Sequence, residues 1–249
     1  MSLNLTQRPS PNWNARRGGC APDMVIIHYT GMKSGELALA RLCDPSAKVS
    51  SHYLIERNGE CVLLVAEESR AWHAGVSHWQ GDADINSRSI GIELVNPGHA
   101  HGYINFAEPQ MRALLTLLGG IHKRHTIAPG HVLAHSDIAP NRKQDPGERF
   151  DWYRLSREGF GRWVEPSPIE AKAGFEPGAT GAGVAAMQRD FAALGYGLAA
   201  TGLFDEATVQ VITAFQRHWR PGKVDGRADA STLDTLRRLR LASAARARS

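Results

Sequence analysis

Short uninterrupted apolar runs mix with helically spaced ones over the first two thirds of this chain, whereas the last third shows helical spacing alone. Runs bounded by turn residues predict strands over residues 25–28, 52–56, 60–65 and 90–95, with the second and third joined as a hairpin by the turn dipeptide Asn58-Gly59. Helical periodicity predicts a short helix over residues 35–43 and a longer one over 108–124, where Met111, Leu114, Leu115, Leu118 and Ile121 share a face. Strands and helices sharing one core predict an α/β or α+β domain.

Over residues 165–183 the composition turns to Pro, Gly, Ala and Glu and the periodicity stops, which predicts a linker. Three helical patterns follow, over residues 184–194, 205–218 and 229–239, and predict a small three-helix domain. The expected organisation is a catalytic domain over 1–165, a linker over 166–182, the helical domain over 183–241 and a frayed tail over 242–249. Within the helical domain, Gly202, Asp205 and Thr208 recur at the same spacing as Gly226, Asp229 and Thr232. A glycine turn followed by an aspartate that caps the next helix accounts for both copies.

Twenty-nine basic against 25 acidic residues leave a formal charge of +4, too small and scattered to call for nucleic acid. Cys20, Cys43 and Cys61 form no CxxC pair, so neither a disulfide scaffold nor a cysteine metal site is expected. No apolar run approaches the roughly 18 residues of a bilayer span, and the first residues lack the pattern of an export signal. These features make the cytoplasm the default compartment.

Chemistry concentrates in residues 130–147, GHVLAHSDIAPNRKQDPG, where His135, Lys143 and Asp145 share a loop with Pro140, Pro146 and Gly147. An isolated His28 ends the apolar run MVIIH. Two imidazoles and one carboxylate form the ligand set of a hydrolytic zinc site, which leaves its fourth tetrahedral position to water. The pattern predicts one Zn2+ per chain, held by His28, His135 and Asp145. Glu93 lies inside the apolar run SIGIELVN, where a carboxylate is costly without a role, and is the candidate acid/base. Lys143, two residues before Asp145, is the candidate for stabilising the negative charge that develops on an attacked carbonyl. His73, in WHAG, is the candidate that faces substrate.

The blocks IIHYT, SSHYLI, AWHAGVS, SIGIELVN and GHVLAHSDIAPNRKQDPG occur in this order across about 120 residues. Together they resemble the zinc-dependent N-acetylmuramoyl-L-alanine amidases, especially the AmpD-like group, relatives of phage amidase lysozymes and peptidoglycan recognition proteins. The resemblance implies a mixed central sheet flanked by helices, and cleavage of the amide between N-acetylmuramic acid and L-alanine in peptidoglycan or its fragments. By the same resemblance His28, His135 and Asp145 match the zinc ligands, Glu93 the acid/base, Lys143 the oxyanion stabiliser and Ala139 a backbone contact to the stem peptide. Family members often carry an arginine nine residues before the glutamate; Asp84 stands there, and Arg88 is the candidate replacement. With Asn96, these residues complete the expected substrate contacts. The C-terminal pattern resembles a three-helix peptidoglycan-binding domain, which points to the periplasm or envelope as the alternative compartment. The other readings are a peptidoglycan sensor that does not cut and a zinc peptidase acting within the stem peptide.

Overall fold

The computed structural model describes residues 3–169 and 174–246. Before the linker segment run β1 (Leu5–Gln7), β2 (Trp13–Ala15), β3 (Met24–Tyr29), α1 (Gly35–Cys43), β4 (Tyr53–Ile55), β5 (Cys61–Leu63), β6 (Ser69–Ala71), α2 (Ile85–Arg88), β7 (Ser89–Leu94), α3 (Glu108–Arg124), β8 (Val132–Ala134), α4 (His135–Ile138) and α5 (Trp152–Arg157). After it come α6 (Ala182–Leu194), α7 (Glu206–Trp219) and α8 (Ala230–Arg246). The six-stranded sheet has the order β1-β5-β4-β7-β3-β8, and β2 pairs with β6 apart from it. Only the β4–β5 hairpin is antiparallel within the main sheet; the other pairings are parallel. The fold is therefore mixed α/β with a helical C-terminal part.

Alternation along β3 and β7 sets the two faces of the sheet. Val25, Ile27, Ile90, Ile92 and Leu94 pack on the buried stripe of α3. That stripe contains Leu117, whereas Leu115 of the expected face is only partly buried, because the helix turns its Met111–Leu114–Leu118–Ile121 line squarely onto the sheet. On the opposite face, Met24 and Ile26 join Trp79, Ile138 and the helical part's Phe191, Tyr196, Phe215 and Trp219 in one apolar cluster. His28 has the parity of Met24 and Ile26, and Glu93 that of Ser89 and Gly91. The register sets His28 beside Glu93 at the carboxyl ends of two parallel strands.

The C-terminal part carries the repeat expected from its sequence. Asp205 caps α7 by accepting from the Thr208 amide at 2.9 Å, and Asp229 accepts from the Thr232 amide at 2.8 Å. A glutamine belongs to each copy as well: Gln188 bridges Gly202, Leu203 and Thr208, while Gln216 bridges Gly226, Arg227 and Thr232. Residues 242–246, expected to fray, continue α8; residues 247–249 lie outside the described part. The flanks of the expected linker are tied down, with Ser167 bonded to Ser231 and Phe175 paired with Ala228.

One buried carboxylate anchors the end of α3. Glu67 accepts from Tyr53 at 2.8 Å, from Arg124 at 2.8 and 2.9 Å and from His125 at 2.7 Å. Burial opposes its ionisation, but the bonds from Arg124, Tyr53 and His125 outweigh it and hold the group at about 2. Because the folded value lies below the unfolded one of about 4.5, this stabilisation is full above pH ~4.5 and is lost as pH falls towards 2. Glu67→Gln should cost on the order of 2 kcal/mol at pH 7, discounted for the half-exposed Arg124. In urea melts the gap between variant and parent should close as the buffer is taken below pH 4.5; a pH-independent gap would refute the charge-based account.

Candidate active site

The expected ligands do converge. His28 Nδ1 lies 2.9 Å from His135 Nδ1, and Asp145 Oδ2 lies 3.1 Å from the first and 2.9 Å from the second. All three residues are buried. Strand β3 delivers His28, α4 begins at His135, and the loop that follows brings back Asp145, whose backbone carbonyl accepts from the Ser136 amide at 3.0 Å.

Hydrogen-bond partners fix where the imidazole protons sit. The Ser89 hydroxyl donates to the Ile85 carbonyl at 2.7 Å, so it accepts from His73 Nε2 at 3.2 Å. His73 Nδ1 is then a bare acceptor and accepts a hydrogen bond from the His28 Nε2–H at 3.1 Å. His135 Nε2 faces the Ala74 carbonyl at 3.2 Å, which only accepts. Both Nδ1 atoms are left as lone pairs directed at each other and at a carboxylate.

Electrostatics agree with that accounting. Burial, reinforced by His135, lowers His28 to about 4, so its ring is neutral at pH 7. Burial also pushes His73 well below its ordinary value, with His28 and His52 adding to the effect. Asp145 is lowered despite burial only through positive charge and hydrogen bonds from His135 and His28, which rings with bare Nδ1 atoms do not supply, so its ionised form calls for another cation beside it. Three buried donor atoms with no proton between them repel one another unless a cation lies among them, and nitrogen, nitrogen and oxygen donors suit zinc. This donor set fits the ion.

His135 and Asp145 open into a cleft of about 350 Å3 that Glu93, Lys143 and His73 also line. Burial, followed by the charge of Asp145, pushes Glu93 up to about 8, against the opposing effect of Lys143. Its Oε2 is buried with no hydrogen-bond partner among the described residues. His73 lines the cleft, but both its ring nitrogens are engaged, by His28 and Ser89, so its visible work is to orient a ligand. Gly91 makes room for it, since a Cβ there would come within 2.4 Å of the His73 ring.

Three expected substrate contacts fall elsewhere. Arg88 precedes β7 and pairs with Asp23 at 2.5 Å, at the end of the strands opposite Glu93. Asn96 is fully buried, with its amide on the Ile104 carbonyl and its oxygen on the Gly98 amide, so it shapes a turn. Ala139 is buried outside the cleft lining, and its carbonyl accepts from the Lys143 and Arg142 amides. Asp84, in the place of the family arginine, is paired with Arg70 at 2.8 Å. Sequence reasoning missed Tyr29, Met32, Arg41, Arg142 and Gln144, which do line the cleft. Tyr29, Arg142 and Gln144 adjoin singled-out residues in sequence, a usable signal; Arg41 on α1 gave none.

Comparison with known proteins agrees with this geometry. The family model described as N-acetylmuramoyl-L-alanine amidase matches residues 18–148, and that of a peptidoglycan binding domain matches residues 180–236. The N-acetylmuramoyl-L-alanine amidase AmiD of Escherichia coli is 37% identical over 221 residues, covering 84% of this chain and 79% of that protein. The 1,6-anhydro-N-acetylmuramyl-L-alanine amidase AmpD of Haemophilus influenzae is 43% identical over 166 residues, 59% of this chain and 88% of its own. Among solved structures, E. coli AmiD in complex with anhydro-N-acetylmuramic acid-L-Ala-D-gamma-Glu-L-Lys superposes with a TM-score of 0.74 at 37% identity, covering 88% of this chain and 89% of its own. AmpDh3 of Pseudomonas aeruginosa, in complex with anhydromuramic pentapeptide, gives 0.74 at 29% identity, over 90% and 93%. With the amidase model spanning more than half of the sequence, the chain belongs to the N-acetylmuramoyl-L-alanine amidase family.

Proposed function

We propose that this enzyme hydrolyses the amide between N-acetylmuramic acid and L-alanine in peptidoglycan fragments, using one zinc ion held by His28, His135 and Asp145. The observation that carries the reading is the convergence of three proton-free donor atoms beside Glu93, a cleft-lining carboxyl group with one buried, unpartnered oxygen. When bound, zinc would supply Lewis acidity and bring the pKa of water to roughly 7. Burial and Asp145 raise Glu93; with a cation's charge beside it Glu93 would be ionised, and in that form it takes a proton from the attacking water and returns it to the departing alanine nitrogen. Lys143, which lines the same cleft, offsets the charge that builds on the carbonyl oxygen. His73 holds His28 in the tautomer that leaves Nδ1 free.

The two solved relatives in complex with muropeptides support soluble anhydro-muropeptides as substrates here too. The match of residues 180–236 to a peptidoglycan binding domain supports capture of the polymer as well. Polymer lies outside the cytoplasm, so this match favours the envelope over the cytoplasmic default. No helix among the described residues is long and apolar enough to cross a membrane.

Mass spectrometry of products from disaccharide-tetrapeptide, in ordinary and 1,6-anhydro form, tests the activity. Zinc-dependent release of an intact tetrapeptide starting at L-alanine is expected; shorter peptides would make the protein a stem-peptide peptidase, and binding without release would make it a sensor. Glu93→Gln should lower turnover by about 10²–10⁴-fold with metal content unchanged by elemental analysis. His73→Ala should weaken zinc binding by about 10–100-fold in chelator competition, and undiminished affinity would remove His73 from the orienting role.

A further inference from the structure

The helix α4 that begins with His135 also carries Asp137, which is fully buried. Its carboxylate accepts from one local donor, the Ala134 amide at 2.8 Å. The other two donors come from the C-terminal part: His218 Nδ1 on α7 at 2.6 Å and the Tyr196 hydroxyl at 2.8 Å. His218 is itself held by stacking on Trp152, at 3.7 Å and 20°. Further along the same segment, Arg217 donates to Gln144 at 3.3 Å and lies 3.8 Å from Glu148. Gln144 sits between Lys143 and Asp145. Two adjacent residues of α7 therefore grip both ends of the segment that supplies two of the three ligands.

The surroundings of this contact are those of a core. Trp79 meets Tyr196 at 5.1 Å, the Gln80 amide donates to the Gly195 carbonyl at 2.8 Å, and a Cβ at Gly195 would overlap the Trp79 ring. Interfaces between independently moving domains are more polar than this. Without the donors from α7 and Tyr196, Asp137 would keep a single backbone partner, and the helix bearing His135 would lose two of the three bonds that hold it at this carboxylate.

We propose that the C-terminal helical part is a structural component of the amidase site, with His218 and Tyr196 as positioning residues that fix α4 through Asp137 and thereby aim the His135 imidazole. The proposal rests on the reading of His28, His135 and Asp145 as metal ligands. It differs in consequence from a tether: a tether matters for intact wall, whereas a positioning contact matters for every substrate, including a small soluble one.

The test uses the full chain with His218→Ala, His218→Asn and Tyr196→Phe, each verified as folded by thermal melting. Two readouts are compared, steady-state kinetics on soluble disaccharide-tetrapeptide and the affinity and visible spectrum of bound Co2+. His218→Ala is expected to lower kcat by about 10-fold or more, with KM little changed, and to weaken and alter the Co2+ site. Tyr196→Phe should move both readouts the same way by less, and His218→Asn, whose amide still donates to Asp137, should recover most of the loss. A folded His218→Ala with parental kcat and Co2+ affinity, impaired only on insoluble wall, would overturn the proposal. If His218→Ala does not fold, Tyr196→Phe decides by the same readouts. Should the parent release nothing from the fragment, the amidase reading fails while the Co2+ comparison still decides the positioning role.

Discussion

Three donor atoms without a proton among them, held within 3.1 Å of one another, set the terms for the surrounding structure. Left alone, such a cluster would separate or gather a proton. Here the protons are directed outward, from His28 through His73 to Ser89 and from His135 to the Ala74 carbonyl. The chain that enforces this runs through Gly91, where the missing side chain lets the His73 ring lie on strand β7. It also depends on strand parity, which puts His28, Ser89, Gly91 and Glu93 on one face while Ile27, Ile90 and Ile92 anchor the other. Parallel strands opening a crevice at their carboxyl ends complete the arrangement.

Much of this was legible in the sequence because it is local. The bounds of α1 and α3 follow from period, with Ser34 capping α1 and Pro109 standing in the first turn of α3, both of which act within one helical turn. The convergence of His28, His135 and Asp145 was legible because the residue types that could share a metal ion are few and a proline-studded loop holds two of them close. Strands β1, β2 and β6 were not: each has three residues, β2 is exposed throughout, and their existence is a matter of tertiary pairing. Arg88 and Asn96 were misplaced for a related reason. A charged or amide side chain near a motif reads as functional, yet Arg88 finds Asp23 on a neighbouring strand's approach and Asn96 closes its own turn. Neither partner is visible from spacing alone.

The helical part illustrates the same limit from the other side. Its repeat was legible as glycine, aspartate and threonine, because capping is a short-range bond. The glutamines that complete each copy sit 14 residues before Gly202 and ten before Gly226, so unequal spacing hid them. Each glutamine spends its carbonyl on the turn amide and its NH2 on the threonine and a turn carbonyl, which locks the cap to the previous helix. The result is a bundle whose turns are as constrained as its helices, and α7 presents Arg217 and His218 to the catalytic loop from that rigid base.

Rigidity changes what a second binding module does. A module on a flexible linker raises the local concentration of polymer to a degree set by linker length, and leaves its orientation free. Here the two parts share an apolar cluster running from Met24 to Trp219, and the flanks of the connecting segment are bonded to the bundle. Under the proposed capture of polymer, a strand seated on such a bundle would approach the cleft in a limited set of directions, so the entropic cost of orientation would fall when the chain folds and not at each encounter. The same rigidity makes the loop carrying His135 and Asp145 answerable to contacts on the far side of α7, since a displaced His218 withdraws a donor from a fully buried carboxylate.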